Sequence, residues 1–152
     1  MIKTVADVMT HNPITVRSET PLKEAVQILA ERRISGLPVL DHADKLVGVI
    51  SETDLMWQET GMTPPAYIMF LDSVIYLQNP IAYERDLHKV LGQTVGEVMS
   101  KNPVTISPEK TVKEAASIMH QKSIHRLPVV DQTGEVIGIL TRGDIIRTMA
   151  IE

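Results

Sequence analysis

The sequence contains no cysteine, few aromatic residues and no long apolar run, and each shortage excludes a class of protein. Without cysteine there is no disulfide, no thiolate metal site and no cysteine nucleophile, and the absence suits a reducing compartment. The longest apolar stretch, Ile68 to Leu77, is interrupted by Asp72 and Ser73 and falls far short of the ~20 residues that span a bilayer. We therefore expect no membrane segment. The opening MIKTVADVMT lacks an apolar h-region, so we expect no secretory signal either.

Basic residues are outnumbered by acidic ones, with 15 Lys and Arg against 19 Asp and Glu, which gives a net charge near −4. A surface that wraps nucleic acid needs the opposite sign, so we expect no nucleic-acid partner. With 43% hydrophobic and 22% charged residues, the 152-residue chain can bury the core of one average domain or two small ones. These figures predict a globular protein, and the absence of cysteine and of a secretory signal leads us to expect it in the cytoplasm.

An internal repeat organises the chain. Shifted by 90 positions, Thr4 to Leu55 lies on Thr94 to Ile145 without a gap, and more than a third of the pairs are identical. An ungapped match of this length indicates a duplicated structural unit. The matched positions include Asn12-Pro13 with Asn102-Pro103, Leu37-Pro38-Val39 with Leu127-Pro128-Val129, Gly48 with Gly138 and Asp54 with Asp144.

Each copy predicts the element order β-α-β-β-α. Apolar residues at Leu22, Ala25, Val26 and Leu29 fall on one helical face over a core, and the second copy repeats the spacing. Thr20-Pro21 predicts an N-cap followed by proline at the first helical position, and Thr111 with Glu114 predicts a capping box. A unit of roughly fifty residues is marginal alone, so the copies should pack together. The predicted strands of the first copy are Ile14 to Val16, Leu37 to Leu40 and Leu46 to Ile50.

The segment between the copies differs in character. We divide the chain into a first unit at 1–58, an insertion at 59–93 and a second unit at 94–152. Proline pairs bracket a predicted helix over Ala66 to Gln78, and another helix is predicted from Tyr83 to Leu91. Three interpretations of the aromatic residues here are open: they cover the chain's own core or a dimer interface, they bind a separate protein, or they face lipid. The last is disfavoured because the segment is short and has no basic face. All the aromatic residues lie at or near this segment: Trp57, Tyr67, Phe70, Tyr76 and Tyr83.

Two features in the copies allow a structural or a binding interpretation. Ser51 with Asp54, and Thr141 with Asp144, have the spacing of ordinary helix caps. The same geometry suits phosphate at the helix N-terminus and a carboxylate that accepts from a ribose diol. Arg126 is either a solvated residue at a strand entry or a fork-shaped phosphate donor. Its neighbour His125 contacts phosphate or fills the strand start.

Patterns that carry catalysis are missing. The sequence has no glycine-rich Walker or Rossmann loop, no GxSxG setting, and no HExxH or H-x-x-x-H pair among its histidines. We therefore predict a protein that is not an enzyme, with no metal and no catalytic cofactor.

The repeats resemble the cystathionine-β-synthase (CBS) domain, and the whole chain is similar to a stand-alone pair of these domains, a Bateman module. The resemblance rests on the openings VMTHNPITV and VMSKNPVTI, the strands ISGLPVLD and IHRLPVVD, and the endings GVISETDL and GILTRGDI. It implies an α/β (α+β) fold of two βαββα units packed face to face about a pseudo-twofold axis, with the helical insertion between them. It also implies a homodimeric, disc-like module.

The resemblance further implies that AMP, ADP, ATP, S-adenosylmethionine or cyclic di-AMP binds in clefts between the units. One copy supplies its opening strand and the residues before its Leu-Pro, and the other supplies its Ser/Thr-x-x-Asp pair and a basic residue. Cleft A, the preferred site, would use Ile14, Thr15, Ile34, Ser35 and Pro38 around adenine, Thr141 and Asp144 for phosphate and ribose, and Arg126 with Arg142 or His125 for the phosphates.

Cleft B is the mirror image and departs from the family pattern. Gly36 stands where cleft A has Arg126, and Glu52 stands where it has Arg142. We expect the lost cation and added anion to weaken cleft B for nucleotides or to suit it to a less charged ligand. Its residues by resemblance are Val104, Thr105, Ile124, His125 and Pro128, with Ser51 and Asp54.

The function implied is a regulatory adenine-nucleotide sensor whose ligand shifts the arrangement of its dimer or of an effector protein. A different class remains open: a protein-interaction module that acts through the aromatic insertion and has vestigial clefts. Nucleotide hydrolysis is a third, weaker interpretation, because no general base or metal-ligand set is evident.

Overall fold

The computed structural model describes residues 2–60, 67–70, 73–76 and 93–151. The elements of the first copy are α1 (Val5–Val8), β1 (Thr10–His11), β2 (Val16–Arg17), α2 (Leu22–Arg32), β3 (Gly36–Leu40), β4 (Leu46–Ser51) and α3 (Glu52–Thr60). Two short strands, β5 (Tyr67–Phe70) and β6 (Ser73–Tyr76), follow. Those of the second copy are α4 (Val95–Val98), β7 (Ser100–Lys101), α5 (Val112–Lys122), β8 (Arg126–Val130), β9 (Val136–Thr141) and α6 (Arg142–Ile151).

The long helices of the two copies begin differently. On α5 the predicted capping box is confirmed: Thr111 Oγ1 accepts from the Glu114 amide at 3.1 Å, and Glu114 Oε2 accepts from the Thr111 amide at 3.0 Å. On α2 the predicted cap is wrong. There Pro21 is the N-cap, and Thr20 Oγ1 instead accepts from the Arg17 amide at 3.0 Å, because the hydroxyl satisfies the preceding turn.

The predicted apolar face of α2 is largely confirmed. Leu22, Ala25 and Leu29 are buried, whereas Val26 is 41% exposed and lies at the edge of the face. A stripe at i, i+3 and i+7 spans the contact with the sheet, and the i+4 position lies beside it.

The two halves exchange their opening segments. Strand β1 pairs with β9 of the second half, and β7 pairs with β4 of the first half, both antiparallel. The result is one sheet of order β1-β9-β8 and another of order β2-β3-β4-β7. The sequence boundary between the copies therefore does not coincide with the spatial boundary between the halves.

The exchange extends into the two cores. Val95 and Val98 of α4 are fully buried in the core of the first half, beside Leu37 and Ile50. In the same way, Val5 and Met9 of the N-terminal segment are buried in the core of the second half. Each core is thus completed by apolar side chains from the other copy, which agrees with the expectation that the two copies pack together.

The structure of the segment between the copies differs from the prediction. The predicted helix over Ala66 to Gln78 is wrong where the chain is described, because β5 and β6 pair antiparallel, with Tyr67 opposite Tyr76. The β-branched and aromatic residues of this stretch fit a pleated strand better than a helix. The predicted helix from Tyr83 to Leu91 lies outside the described residues. Within the described residues, no helix has the length and apolarity needed to cross a bilayer.

Candidate functional site

A cavity of about 460 Å³ lies between the two halves. One wall comes from the loop after β1 and from the connection between α2 and β3, and the other comes from the end of β9 and the start of α6. This volume falls within the roughly 300–1,000 Å³ typical of small-molecule sites.

Most residues predicted for cleft A meet in this cavity, although they come from distant parts of the chain. The connection between β9 and α6 is positioned by an amide hydrogen bond from Arg142 to the His125 carbonyl at 2.9 Å. The predicted residues that line the cavity are Ile14, Ile34, Ser35, Arg126, Thr141, Arg142 and Asp144.

Two predicted residues of cleft A do not line the cavity. Pro38 is fully buried within β3, opposite Val49 of β4. Thr15 is exposed, immediately before β2. Side chains of neighbouring residues in an extended segment point in opposite directions, so Ile14 lines the cavity and Thr15 does not.

Sequence reasoning missed part of the lining. The most consequential omission is Arg147, which follows Asp144 by three residues on α6 and therefore lies on the same helical face, a signal visible in the sequence. His125, assigned mainly to cleft B, also lines this cavity. The other lining residues are Thr10, Asn12, Pro13, Arg33, Gly36, Glu52, Ile139 and Gly143.

The carboxylate of Asp144 is held at the start of α6. Its Oδ2 accepts from the Thr141 amide at 2.8 Å, and its own amide donates to Thr141 Oγ1 at 3.2 Å. The remaining oxygen, Oδ1, accepts from Arg147 Nη2 at 2.5 Å. The Asp144 side chain is only 9% exposed, whereas that of Arg147 is 70% exposed. One oxygen thus accepts from the backbone and the other accepts from an exposed side chain.

Asp54, the repeat counterpart, has a different environment. Its Oδ2 accepts from both the amide and the hydroxyl of Ser51, at 2.9 and 3.1 Å. Its Oδ1 accepts from Ser100 Oγ at 2.9 Å, and the residue is 3% exposed. Both oxygens of this carboxylate therefore accept from hydroxyl or amide donors of the protein itself.

Arg126 reaches from the second half toward the first. Its Nη2 donates to Ser35 Oγ at 3.1 Å, and its Nε–H is buried without an acceptor among the described residues. Burial lowers the pKa of the guanidinium, and the charges of Glu52 and Asp54 oppose that effect. An arginine stays protonated in proteins, so a partly desolvated cation faces this region. A buried donor with no acceptor is a suitable partner for an anionic ligand.

The cavity carries more positive than negative charge. Although the chain as a whole is acidic, cations are concentrated in this cavity between its halves, where they attract an anion. Its ionic residues are four arginines, Arg33, Arg126, Arg142 and Arg147, and two carboxylates, Glu52 and Asp144.

The residues predicted for cleft B are not gathered in the same way. A second cavity, of about 440 Å³, is lined by α5, α6 and the α5–β8 connection, all within the second half. Ile124 and His125 line it, and Ser51 and Asp54 do not. The other predicted positions are dispersed: Val104 is half-buried against the core of the second half, Thr105 is exposed and Pro128 is fully buried in β8.

The part of the chain that the structure describes contains no group of three or more His, Cys, Asp or Glu side chains that could hold a metal. The first cavity presents apolar side chains, two carboxylates and four guanidinium groups.

The chain is similar to proteins that contain CBS domains. A family model for the CBS domain matches residues 5–58 and 95–151. CBSX1, a chloroplastic CBS domain-containing protein of Arabidopsis thaliana, is 35% identical over 87% of this chain. The match spans 57% of the length of CBSX1.

Solved structures of CBS pairs have the same fold. CBSX2 of Arabidopsis thaliana, solved in complex with AMP, superposes with a TM-score of 0.82 at 30% identity and covers 98% of this chain and 97% of its own. The CBS domain pair of protein MJ0100, solved with 5′-methylthioadenosine and S-adenosyl-L-methionine, has a TM-score of 0.73 at 27% identity, with coverages of 99% and 98%. With both repeats matched and the paired fold present, the chain belongs to the CBS domain family.

Proposed function

We propose that this chain is a regulatory module that binds an adenosyl ligand in the cavity between its halves. One observation carries the proposal: Asp144 and Arg126 of the second half and Ile14 and Ile34 of the first line the same cavity. That combination supplies an apolar surface, a carboxylate and a cation, which are the groups that adenine, ribose and phosphate require.

The adenine ring is assigned to the two isoleucines. Ile14 is 38% exposed and Ile34 is 37% exposed, which leaves two large apolar side chains in contact with water at the cavity wall. A planar base placed against them would bury apolar area from both partners, and each square ångström removed from water stabilises the complex by roughly 25 cal/mol.

The ribose and phosphates are assigned to the second half. Asp144 Oδ1 faces a single exposed partner, so it is the oxygen that would accept from a ribose hydroxyl. Arg126 would donate its buried Nε–H to a phosphate oxygen, with Arg142 beside it. Thr141 and Ser35 fix these two groups through the hydrogen bonds already described.

The comparisons support the ligand class rather than one ligand. The related structures hold AMP in one case and 5′-methylthioadenosine with S-adenosyl-L-methionine in the other. The group that these ligands share is the adenosyl group, adenine joined to ribose. We therefore include AMP, ADP, ATP, S-adenosylmethionine and cyclic di-AMP as candidates, and we assign no reaction to the protein.

A thermal-shift panel of these five ligands tests the proposal, because a ligand that binds only the folded state raises the melting temperature. Asp144→Asn should remove most of the rise, and the matched variant Asp54→Asn should remove less. If no ligand raises the melting temperature, the proposed function is wrong. If both variants remove the rise equally, the assignment to the first cavity is wrong.

We also propose that the module is a homodimer in the cytoplasm, and that its ligand changes the dimer or a bound effector protein. The support is a repeated apolar position on the last helix of each copy: Met56 is 54% exposed and Ile146 is 58% exposed. Met149, on the same helix as Ile146, is 66% exposed. Light scattering should give a dimer mass that Ile146→Glu lowers and that Ile2→Glu, at the exposed N-terminus, does not. A monomer in the unaltered protein would contradict this.

The alternative class is a protein-interaction module with vestigial cavities. The observation that favours it is compositional: every aromatic residue lies at or near the insertion at 59–93. If no ligand shifts melting and a bound protein is lost on substitution of Tyr67, Phe70 and Tyr76, that function replaces the sensor.

A further inference from the structure

We propose that Arg147 makes the cavity selective for nucleoside polyphosphates by exchanging its partner from Asp144 to a ligand phosphate. The inference rests on the proposed function and narrows its ligand class. It identifies Arg147 as a residue that determines specificity.

The ion pair between Arg147 and Asp144 occupies the oxygen that a ribose hydroxyl needs. Because Oδ2 of Asp144 is engaged by the Thr141 amide, a ribose diol must compete for Oδ1, which accepts from Arg147. A ligand that takes this oxygen releases the guanidinium. A ligand with no anionic group leaves the released cation without a partner, whereas a phosphate supplies a new one.

The exposure of the pair makes the exchange inexpensive. With the Arg147 side chain 70% exposed, the ion pair is largely screened by water, and exposed pairs contribute little to stability. The guanidinium stays at the cavity rim after release, because Arg147 lines the same cavity as Arg126 and Arg142.

The number of cations exceeds what one phosphate uses. Four arginines against two carboxylates line the cavity, and the binding of a neutral ribose leaves this excess of positive charge unchanged. A chain of two or three phosphates can contact several guanidinium groups at once, because each group presents a planar fork of donors. S-adenosylmethionine has no phosphate, and its sulfonium and ammonium outweigh its one carboxylate, so this cavity should bind it weakly.

Asp54, the repeat counterpart of Asp144, has no arginine three residues after it. In the sequence Trp57 stands where the second copy has Arg147, and Glu52 stands where it has Arg142. Asp54 Oδ1 accepts from Ser100 Oγ, whereas the corresponding oxygen of Asp144 accepts from Arg147. The features that favour phosphate are thus concentrated at the carboxylate of the second half.

Isothermal titration calorimetry with adenosine, AMP, ADP, ATP and S-adenosylmethionine tests the proposal. Affinity should rise with phosphate number, with ATP bound at least tenfold more tightly than AMP and S-adenosylmethionine bound more weakly than adenosine. Arg147→Gln should weaken ATP about tenfold and change adenosine less than twofold. Arg147→Lys should retain most of the ATP preference, and Arg32→Gln, an exposed arginine of α2 outside the cavity lining, should retain all of it.

The outcomes separate the inference from the proposed function. If AMP or S-adenosylmethionine binds as tightly as ATP, or if Arg147→Gln weakens adenosine and ATP equally, the selectivity is overturned and the adenosyl site stands. If none of the five ligands binds, both are overturned. The ranking of ligands by the unaltered protein decides the matter even if a variant folds poorly.

Discussion

The side chain of Arg126 lies across the backbone of Gly36, its counterpart in the other copy. A Cβ added at Gly36 would come within 2.7 Å of Arg126 Cδ and 2.8 Å of Arg126 Nε. The space near the pseudo-twofold axis therefore holds one arginine side chain, and the glycine is what makes room for it. The asymmetry between the two predicted clefts is steric as well as electrostatic.

Gly36→Ala should weaken ligand binding more than it weakens the fold. The new methyl group would displace Arg126, a flexible side chain, so the free energy of unfolding should change by less than about 1 kcal/mol. The displaced guanidinium would lose its position beside Ser35, and the affinity for ATP should fall several-fold. Urea unfolding and calorimetry measure the two quantities. A variant that binds ATP as well as the unaltered protein would contradict the positioning role of Gly36.

The two exchanged strands offer a matched pair of glycine substitutions. A Cβ at Gly48 would lie 2.7 Å from the Ser100 carbonyl oxygen, which belongs to the backbone of β7 and cannot move alone. At Gly138 the neighbours within reach are side-chain atoms of Met9, which can change rotamer. Gly48→Ala should therefore cost about 1–3 kcal/mol of unfolding free energy, and Gly138→Ala should cost less. Equal losses in urea unfolding would show that the backbone contact is not the deciding factor.

The capping box of α5 should contribute measurably to stability. Thr111→Ala removes the acceptor for the Glu114 amide and should lower the unfolding free energy by about 1 kcal/mol. For a chain of this size that corresponds to a melting temperature lower by about 2–4 °C. Ser117→Ala removes a hydroxyl from an exposed position in the middle of the same helix and is the control. If the two variants melt alike, the hydrogen bond at the cap is not stabilising.

The turn before β9 should make stability depend on pH in the acid range. Asp131 Oδ1 accepts from Thr133 Oγ1 at 2.6 Å and from the amides of Thr133 and Glu135, at 2.9 and 3.0 Å. These hydrogen bonds, the Thr133 hydroxyl first, lower the pKa of Asp131 below its ordinary value of 3.8. A lowered pKa in the folded state contributes stability above the unfolded pKa, and that stability is lost as the pH falls through the folded pKa.

Urea unfolding from pH 6 down to pH 3 measures this effect. The free energy of unfolding should fall below about pH 4, and Asp131→Asn should flatten that fall. Glu109→Gln removes an exposed carboxylate in a different turn and should leave the slope unchanged. A slope that Asp131→Asn does not alter would contradict the assignment. Asp41, the repeat counterpart, has its pKa lowered chiefly by the Lys45 amide, so the double variant should be flatter still.

The repeat made much of the fold predictable from the sequence. The helices and the Leu-Pro strands of both units are present because apolar spacing and turn residues agree within each copy. The opening strand, predicted at Ile14 to Val16, is instead Val16–Arg17, and in the second copy it is reduced to a bridge at Ile106. The exchange of β1 and β7 was not predictable, since a two-residue strand has no periodicity and its partner is distant in the chain, at Ile139 for Thr10 and at Gly48 for Lys101. The strands that contain Phe70 and Tyr76 were not predictable for a related reason, because a short apolar run is compatible with either helix or strand.

The residues of the candidate site that belong to a local motif were predictable from the sequence. Those that enter the site only through packing of the two halves were not. Asp144 and Thr141 are recognisable from their spacing, and Arg126 from its position before a Leu-Pro strand. Gly36 and Glu52 enter the same cavity only because the halves pack about a pseudo-twofold axis. Their roles depend on contacts between residues that no local pattern links. The roles of all these residues in binding remain predictions.

The exchange of opening segments has a consequence for how the protein comes apart. Thr10 and Asn12, which line the cavity, are carried by a segment whose strand is paired to β9 of the other half. If one half unfolds, the other half loses an edge strand and at least two buried valine or methionine side chains from its core. The chain should therefore unfold in a single cooperative transition. A ligand bound in the cavity between the halves should slow the exchange of amide hydrogens with heavy water in both halves at once.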